Sequence, residues 1–179
     1  MITGTGKYGG NVAVEFTIGQ AAGGPGSSIA GGKAGTEFTY KNVDYKILTN
    51  GKGTGSGTTA LIRANNKKSF TVPETVKYNG KTFKVVQIKA GAFTGKNIRT
   101  VTVGANVKKI AANAFKGSKV TRLILKTRLL KKSAVRKSLK GSRISTIKVN
   151  ISKKQNSIYV KKYKKIFTKA NAGKKVTVK

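Results

Sequence analysis

The sequence predicts a mainly β chain with short helices: a solenoid of stacked repeats between an N-terminal β-rich cap and a C-terminal cap of one helix and one strand. Three observations predict it. Residues 98 to 149 carry one apolar hexad three times, as Ile98-x-x-Val101-x-Val103, Val120-x-x-Leu123-x-Leu125 and Ile144-x-x-Ile147-x-Val149. The first step is 22 residues at all three positions and the second is 24. A second landmark keeps the same phase: Ala92-Phe93 with Gly95, Ala114-Phe115 with Gly117, and Ser138-Leu139 with Gly141. Around the hexads, short alternating β runs come before and a single helical stripe comes after.

Within each hexad the last two apolar positions alternate, so both point to one side of a short strand. One strand and one aromatic plug enclose no core. Stacked units do, because each covers its neighbour. The expected structure is a parallel ladder with one strand per repeat. Phe93, Phe115 and Leu139 should fill the side away from the strands, with Phe167 a further candidate for that column. Repeats of about 20 to 29 residues with an L-x-x-L-x-L core signal a leucine-rich-repeat solenoid. Asn106 falls three residues past Val103, where that pattern wants a side chain that satisfies the backbone as it leaves the strand.

Two segments carry a family resemblance. Val86-Gln-Ile-Lys-Ala-Gly-Ala-Phe93 and Ile110-Ala-Ala-Asn-Ala-Phe115-Lys-Gly117 resemble the I-G-x-x-A-F-x-G unit of BspA-type leucine-rich repeats. The lead-in from Thr71 to Val85 is similar to the opening of such arrays, and Lys161 to Lys169 to the closing unit of their lysine-rich members. The resemblance covers residues 58 to 179. The unit Leu129 to Gly141 departs from it, with Lys131-Lys-Ser-Ala-Val135 in place of I-G-x-x-A. The resemblance implies a bacterial protein of the cell surface or secreted fraction that adheres to host matrix proteins or to other cells.

Composition narrows the chemistry. The chain has neither cysteine nor histidine, which excludes thiolate zinc sites, disulfides, thiol catalysis and imidazole bases. No apolar run approaches the ~18 residues of a membrane-spanning helix. Met1-Ile-Thr-Gly-Thr5 has no apolar core of a signal peptide, so an exported protein would be represented here by a fragment. The 38 basic residues face only 4 acidic ones, a net charge of +34. Residues 1–66 hold 6 Lys/Arg and 3 acids, whereas residues 67–179 hold 32 Lys/Arg and the single acid Glu74. Such a field attracts any polyanion; a lysine-rich surface kept for solubility is the plain alternative.

In chain order, residues 1–18 end in the alternation Val12, Val14, Phe16, Ile18 and read as a remnant strand of an upstream β module. Gly4-x-Gly6-x-x-Gly9 matches a dinucleotide fingerprint by letter, without the strand and helix that cradle a phosphate. Residues 19–35 are a Gly/Ala/Ser linker. Residues 36–92 read as the hairpin-rich cap: strands Glu37–Tyr40, Val43–Leu48, Thr58–Arg63 and Ser69–Val72, then a hairpin from Thr75 to Ile88 turning at Asn79-Gly80. Asn-Gly suits a type I′ turn because both of its central residues need positive φ. The Gly51–Thr59 loop lacks the helix a P-loop requires. Residues 93–179 hold the repeats and the C-terminal cap. Single helical turns are expected at Ala111–Phe115 and at Ser133–Leu139, with Ser133 as an N-cap candidate. Tyr159, Tyr163, Ile166 and Phe167 form one helical stripe, Gly173 can end that helix, and Val176–Val178 gives a last strand.

Catalysis has little to stand on. Glu15, Glu37, Asp44 and Glu74 are the only carboxylates. Glu37 and Asp44 sit on one hairpin, where salt links to neighbouring cations explain them better than a glycosidase pair. No metal, cofactor or catalytic residue is assigned. Binding is the stronger idea. The residues between the core positions of the hexads, Thr100, Thr102, Arg122, Ile124, Thr146 and Lys148, face outward, and Lys126 extends the row. Solenoids use such a face for partners. Here it suits acidic surfaces: host or cell-surface proteins, or anionic polymers such as a cell-wall polymer or glycosaminoglycan. Two other readings stay open: non-specific nucleic-acid binding by counterion release, and a structural spacer in a larger surface protein.

Overall fold

A computed structural model describes residues 32–53 and 55–179. The expected strand at 1–18, the Gly4 motif and most of the 19–35 linker lie outside the described residues. Eleven strands are described: β1 Glu37–Tyr40, β2 Val43–Thr49, β3 Gly57–Arg63, β4 Ser69–Thr71, β5 Thr75–Tyr78, β6 Lys81–Ile88, β7 Thr100–Val103, β8 Lys109–Ile110, β9 Arg122–Leu125, β10 Thr146–Val149 and β11 Thr177–Val178. Two helices, α1 Asn156–Ile166 and α2 Lys169–Ala172, lie between β10 and β11, and a 3-10 turn spans Ser133–Val135.

The strands form two sheets. One is wholly parallel, in the order β11-β10-β9-β7-β4. In the other, β3, β6 and β8 run parallel, with β2 and β5 added antiparallel at its flanks and β1 outside β2. The chain visits both sheets in each turn: β3 to β4, β6 to β7, β8 to β9. The 3-10 turn and then the two helices replace the mixed-sheet strand ahead of β10 and β11. Parallel neighbours need a long return, and each turn of the solenoid supplies one.

The register is the one the hexads demand. Val101 lies opposite Leu123 and Leu123 opposite Ile147. The row continues to Phe70 at one end and Val178 at the other. Val101, Leu123 and Ile147 are fully buried, as are Ile98, Val120 and Ile144 ahead of the strands. Each such side chain contributes about 1.5–3 kcal/mol by leaving water. The step from Phe70 to Val101 and the step from Ile147 to Val178 are both 31 residues, longer than the inner steps. The β5–β6 hairpin takes up the extra length at one end, and α1 with α2 takes it up at the other. The stretch 36–92 therefore holds the antiparallel β1–β2 hairpin, the first turn of the solenoid from β3 to β4, and β6, which opens the second.

Aromatic rings fill the far side as expected. Phe93 and Phe115 stack with centroids 4.8 Å apart and planes 4° from parallel, and Phe70 meets Phe93 edge-on at 5.7 Å. Leu139 is fully buried above them. Phe167 is buried too, but its ring packs edge-on against Tyr163 of α1 at 6.1 Å. The turns beside this column repeat their backbone. Gly91, Asn113 and Lys137 all have positive φ (68°, 58° and 53°), and so do Gly95, Gly117 and Gly141. Asn79 and Gly80 are both left-handed, as a type I′ hairpin requires. Lys41 and Asn42 turn the β1–β2 hairpin with the same pair of signs.

Three local expectations change. Ala111–Phe115 forms turns rather than a helix. Ser133 is the first residue of the 3-10 turn and does not cap it: the cap position is Lys132, and no side chain bonds there. The C-terminal stripe breaks at Phe167, and Thr168 starts α2 by accepting a hydrogen bond from the Asn171 N–H. Gly173, at φ 82°, then ends α2. The Tyr163 hydroxyl donates to the Thr127 carbonyl at 2.5 Å and ties α1 to the end of β9. Burial, with Tyr159 beside it, pushes the Tyr163 phenol well above its ordinary range.

Candidate functional site

The parallel sheet positions the outward residues. Register places Thr100, Arg122 and Thr146 in one row across three neighbouring strands, with Ser69 and Thr177 continuing it at the ends. Thr102, Ile124 and Lys148 form the second row, which Thr71 extends. Six of the seven sequence candidates thus share one face. Arg122 and Lys148 are exposed there, and the Thr and Ile residues are half-buried. Ile124 sits between Thr102 and Lys148, an apolar spot inside a polar row.

Lys126 lies one step beyond β9, where its N–H bonds the Val103 carbonyl at 3.0 Å. With Glu74, Ala105, Arg128, Leu129, Asn150 and Ile151 it lines a recess of about 500 Å³ at the corner where the strands end. Glu74 makes that corner electrically mixed. Its backbone carbonyl accepts from Asn106 Nδ2 at 3.0 Å, the role expected of an Asn leaving the strand.

The outer face is not flat. A groove of about 510 Å³ runs between β9, β10 and the first turns of α1. Arg122, Thr146 and Lys148 line one side, Asn156, Ser157 and Val160 of α1 the other, and Lys179 closes one end. The helix contribution was not legible in the sequence, because α1 reaches this face only through tertiary packing. Ser69, Thr71 and Thr177 left a fainter trace: their strands alternate as the hexads do, but at a different step.

Electrostatics on this face is one-sided. The groove lining contains three cationic side chains and no acidic side chain. The ion pairs among the described residues are Lys46–Glu37 at 3.1 Å and Arg63–Asp44 at 3.9 Å, both on the mixed sheet. Glu37 and Asp44 are thus each engaged with a cation. Among the described residues no cluster of three or more acidic, His or Cys side chains gathers to hold a metal. No described helix is long and apolar enough to cross a membrane.

No protein-family model matches the chain, and no curated protein matches it. Three solved structures are similar in shape. A leucine-rich cell-surface protein of Faecalibacterium prausnitzii has 16% identity and a TM-score of 0.41, over 63% of this chain and 26% of that one. The pneumococcal vaccine antigen PcpA has 21% identity and a TM-score of 0.41, over 66% and 42%. A leucine-rich-repeat protein of Bacteroides capillosus has 20% identity and a TM-score of 0.42, over 63% and 71%. The chain spans less than half the length of the first two. None of the three lends it a ligand or a residue role. Its own parallel ladder, with three apolar hexads in register at Val101, Leu123 and Ile147, makes this chain a leucine-rich-repeat solenoid.

Proposed function

We propose that the chain is a non-enzymatic repeat module of a bacterial cell-surface or secreted protein, and that its outer ladder face holds an anionic wall polymer. One observation carries this reading. The groove beside Arg122, Thr146 and Lys148 presents cations and hydrogen-bonding groups along a rigid sheet, with no acidic side chain in its lining. A repeating anion can lie across successive strands, spaced about 4.8 Å apart, and meet donors at each. Counterion release would add affinity and make it fall with salt.

The charge itself favours a second reading, non-specific binding of nucleic acid, because 32 Lys/Arg lie in residues 67–179. One experiment separates site from field. Binding of purified wall teichoic acid is compared for the intact chain, for Arg122→Glu with Lys148→Glu, and for Lys116→Glu with Lys140→Glu. Both doubles change net charge equally, and the second pair is exposed away from the groove. The groove double is expected to weaken binding about tenfold more than the control double, a difference of about 1.4 kcal/mol. Equal weakening, together with equal displacement by heparin and DNA, would show the field alone at work and end the groove reading.

A further inference from the structure

The two sheets end differently at the first turn of the solenoid. In the mixed sheet, β2 lies antiparallel on β3 and covers its edge. In the parallel sheet, β4 pairs with β7 on one side and with no described strand on the other. The Arg99 N–H bonds Lys68 O and the Val72 N–H bonds Thr102 O, both at 2.9 Å, so Lys68 and Val72 turn their peptide groups towards β7. Peptide groups alternate along a strand, and those of Ser69 and Thr71 therefore face the open side. An unpaired row of N–H and C=O groups is a template for another strand.

A groove of about 450 Å³ runs along this edge. Ser69, Phe70 and Thr71 form one wall, and Tyr40, Lys41 and Val43 of the β1–β2 hairpin form the other. Asn65 and Lys67 also line it, and no carboxylate does. The Asn65 Oδ1 is buried and has no hydrogen-bond donor among the described residues. Such an atom is costly in a folded protein unless a water or a ligand supplies the donor.

We propose that this groove takes an extended acidic peptide segment of a partner protein, which adds to β4 as a further strand. The backbone edge supplies the affinity common to strand addition, and side chains alternate between the groove floor and solvent. Charge selects the occupant. A second copy of this chain would bring a net +34 against another +34. A segment carrying glutamate or aspartate meets Lys41 and Lys67 instead. The site uses the in-plane edge of β4, so it stands apart from the outer-face reading.

The test uses a short blocked peptide alternating threonine and glutamate, and the same peptide with its backbone amides methylated. On the full chain the first is expected to bind and to slow hydrogen exchange at the Ser69 and Thr71 amides. The methylated peptide, equal in charge, is expected to bind about tenfold more weakly. Thr71→Pro removes an edge N–H without touching the ladder bonds to β7 and should weaken binding to a similar extent. Lys41→Glu with Lys67→Glu should do so through charge and leave the edge intact, which covers failure of the proline variant to fold. Lys116→Glu with Lys140→Glu, which changes net charge as much at exposed residues outside this groove, should weaken binding clearly less than the Lys41 and Lys67 pair. Equal binding of the two peptides, or unchanged exchange at Ser69 and Thr71, overturns the proposal. Protection of those amides that rises with protein concentration in the absence of peptide would identify a second copy as the occupant and overturn it equally.

Discussion

Lys137 holds a left-handed backbone, φ 53°, where the two preceding turns use Gly91 and Asn113. Its neighbours impose this. Its carbonyl accepts from the Asn113 N–H at 3.0 Å, and its own N–H reaches the Asn171 carbonyl at 2.6 Å. A left-handed residue with a Cβ costs about 1–2 kcal/mol, and glycine avoids that at some cost in chain entropy. Lys137→Gly is therefore expected to stabilise the protein by about 0.5–1 kcal/mol, read as a higher midpoint in urea unfolding; a lower midpoint would refute the strain. Gly117 gives the converse. A Cβ there meets only an ordinary contact with Thr94 at 3.6 Å, so any cost of substitution comes from φ alone. The glycine landmarks were legible because they recur in letter. Lys137 was not, since a lysine says nothing of the backbone its hydrogen bonds force on it.

Among the elements, the strands were the most legible. Alternation marks a buried face, and β1, β2, β5 and β6 begin where it predicts. The middle of the ladder is the most tightly enclosed part, with Leu123 covered by Val101 and Ile147 on both sides. Leu123→Ala is expected to cost about 2–5 kcal/mol, from lost transfer energy plus the cavity left behind. Ile158→Ala on α1, at a side chain 62% exposed, should move the unfolding midpoint hardly at all. Calorimetry on the two variants checks both, and comparable losses would contradict the burial pattern. The terminal turns were harder to read. Both end strands were read as strands, but their 31-residue steps hide from a search at 22 or 24 that β4 and β11 belong to the ladder, because the hairpin and the helices are inserted between rungs. The helix break at Thr168 was missed for a local reason: its hydroxyl competes for the Asn171 N–H and starts a new turn.

On the scale of the whole molecule, net charge sets a condition on stability. A chain with +34 and only four acids repels itself when folded more than when extended. Raising salt from about 0.01 M to about 0.15 M shortens the screening length from about 30 Å to about 8 Å. A gain on the order of 1 kcal/mol is expected, which for a chain of this size raises Tm by about 2–4 °C in a calorimetric salt series. A flat or falling Tm would mean that the lysines are too far apart to matter.

The candidate face follows a similar division. Its strand residues were legible, since whatever is not core in an alternating hexad points outward. The recess beside Lys126, the wall added by Asn156, Ser157 and Val160, and the edge of β4 that no described strand covers were not. The sequence by itself determined the repeat, its phase and the row of cations, because a period-two pattern at a fixed step admits one register. Only the tertiary structure decided where the chain's insertions go, which cations share a groove and which strand edge no described strand covers, because those depend on contacts between residues about 30 positions apart that no local pattern encodes.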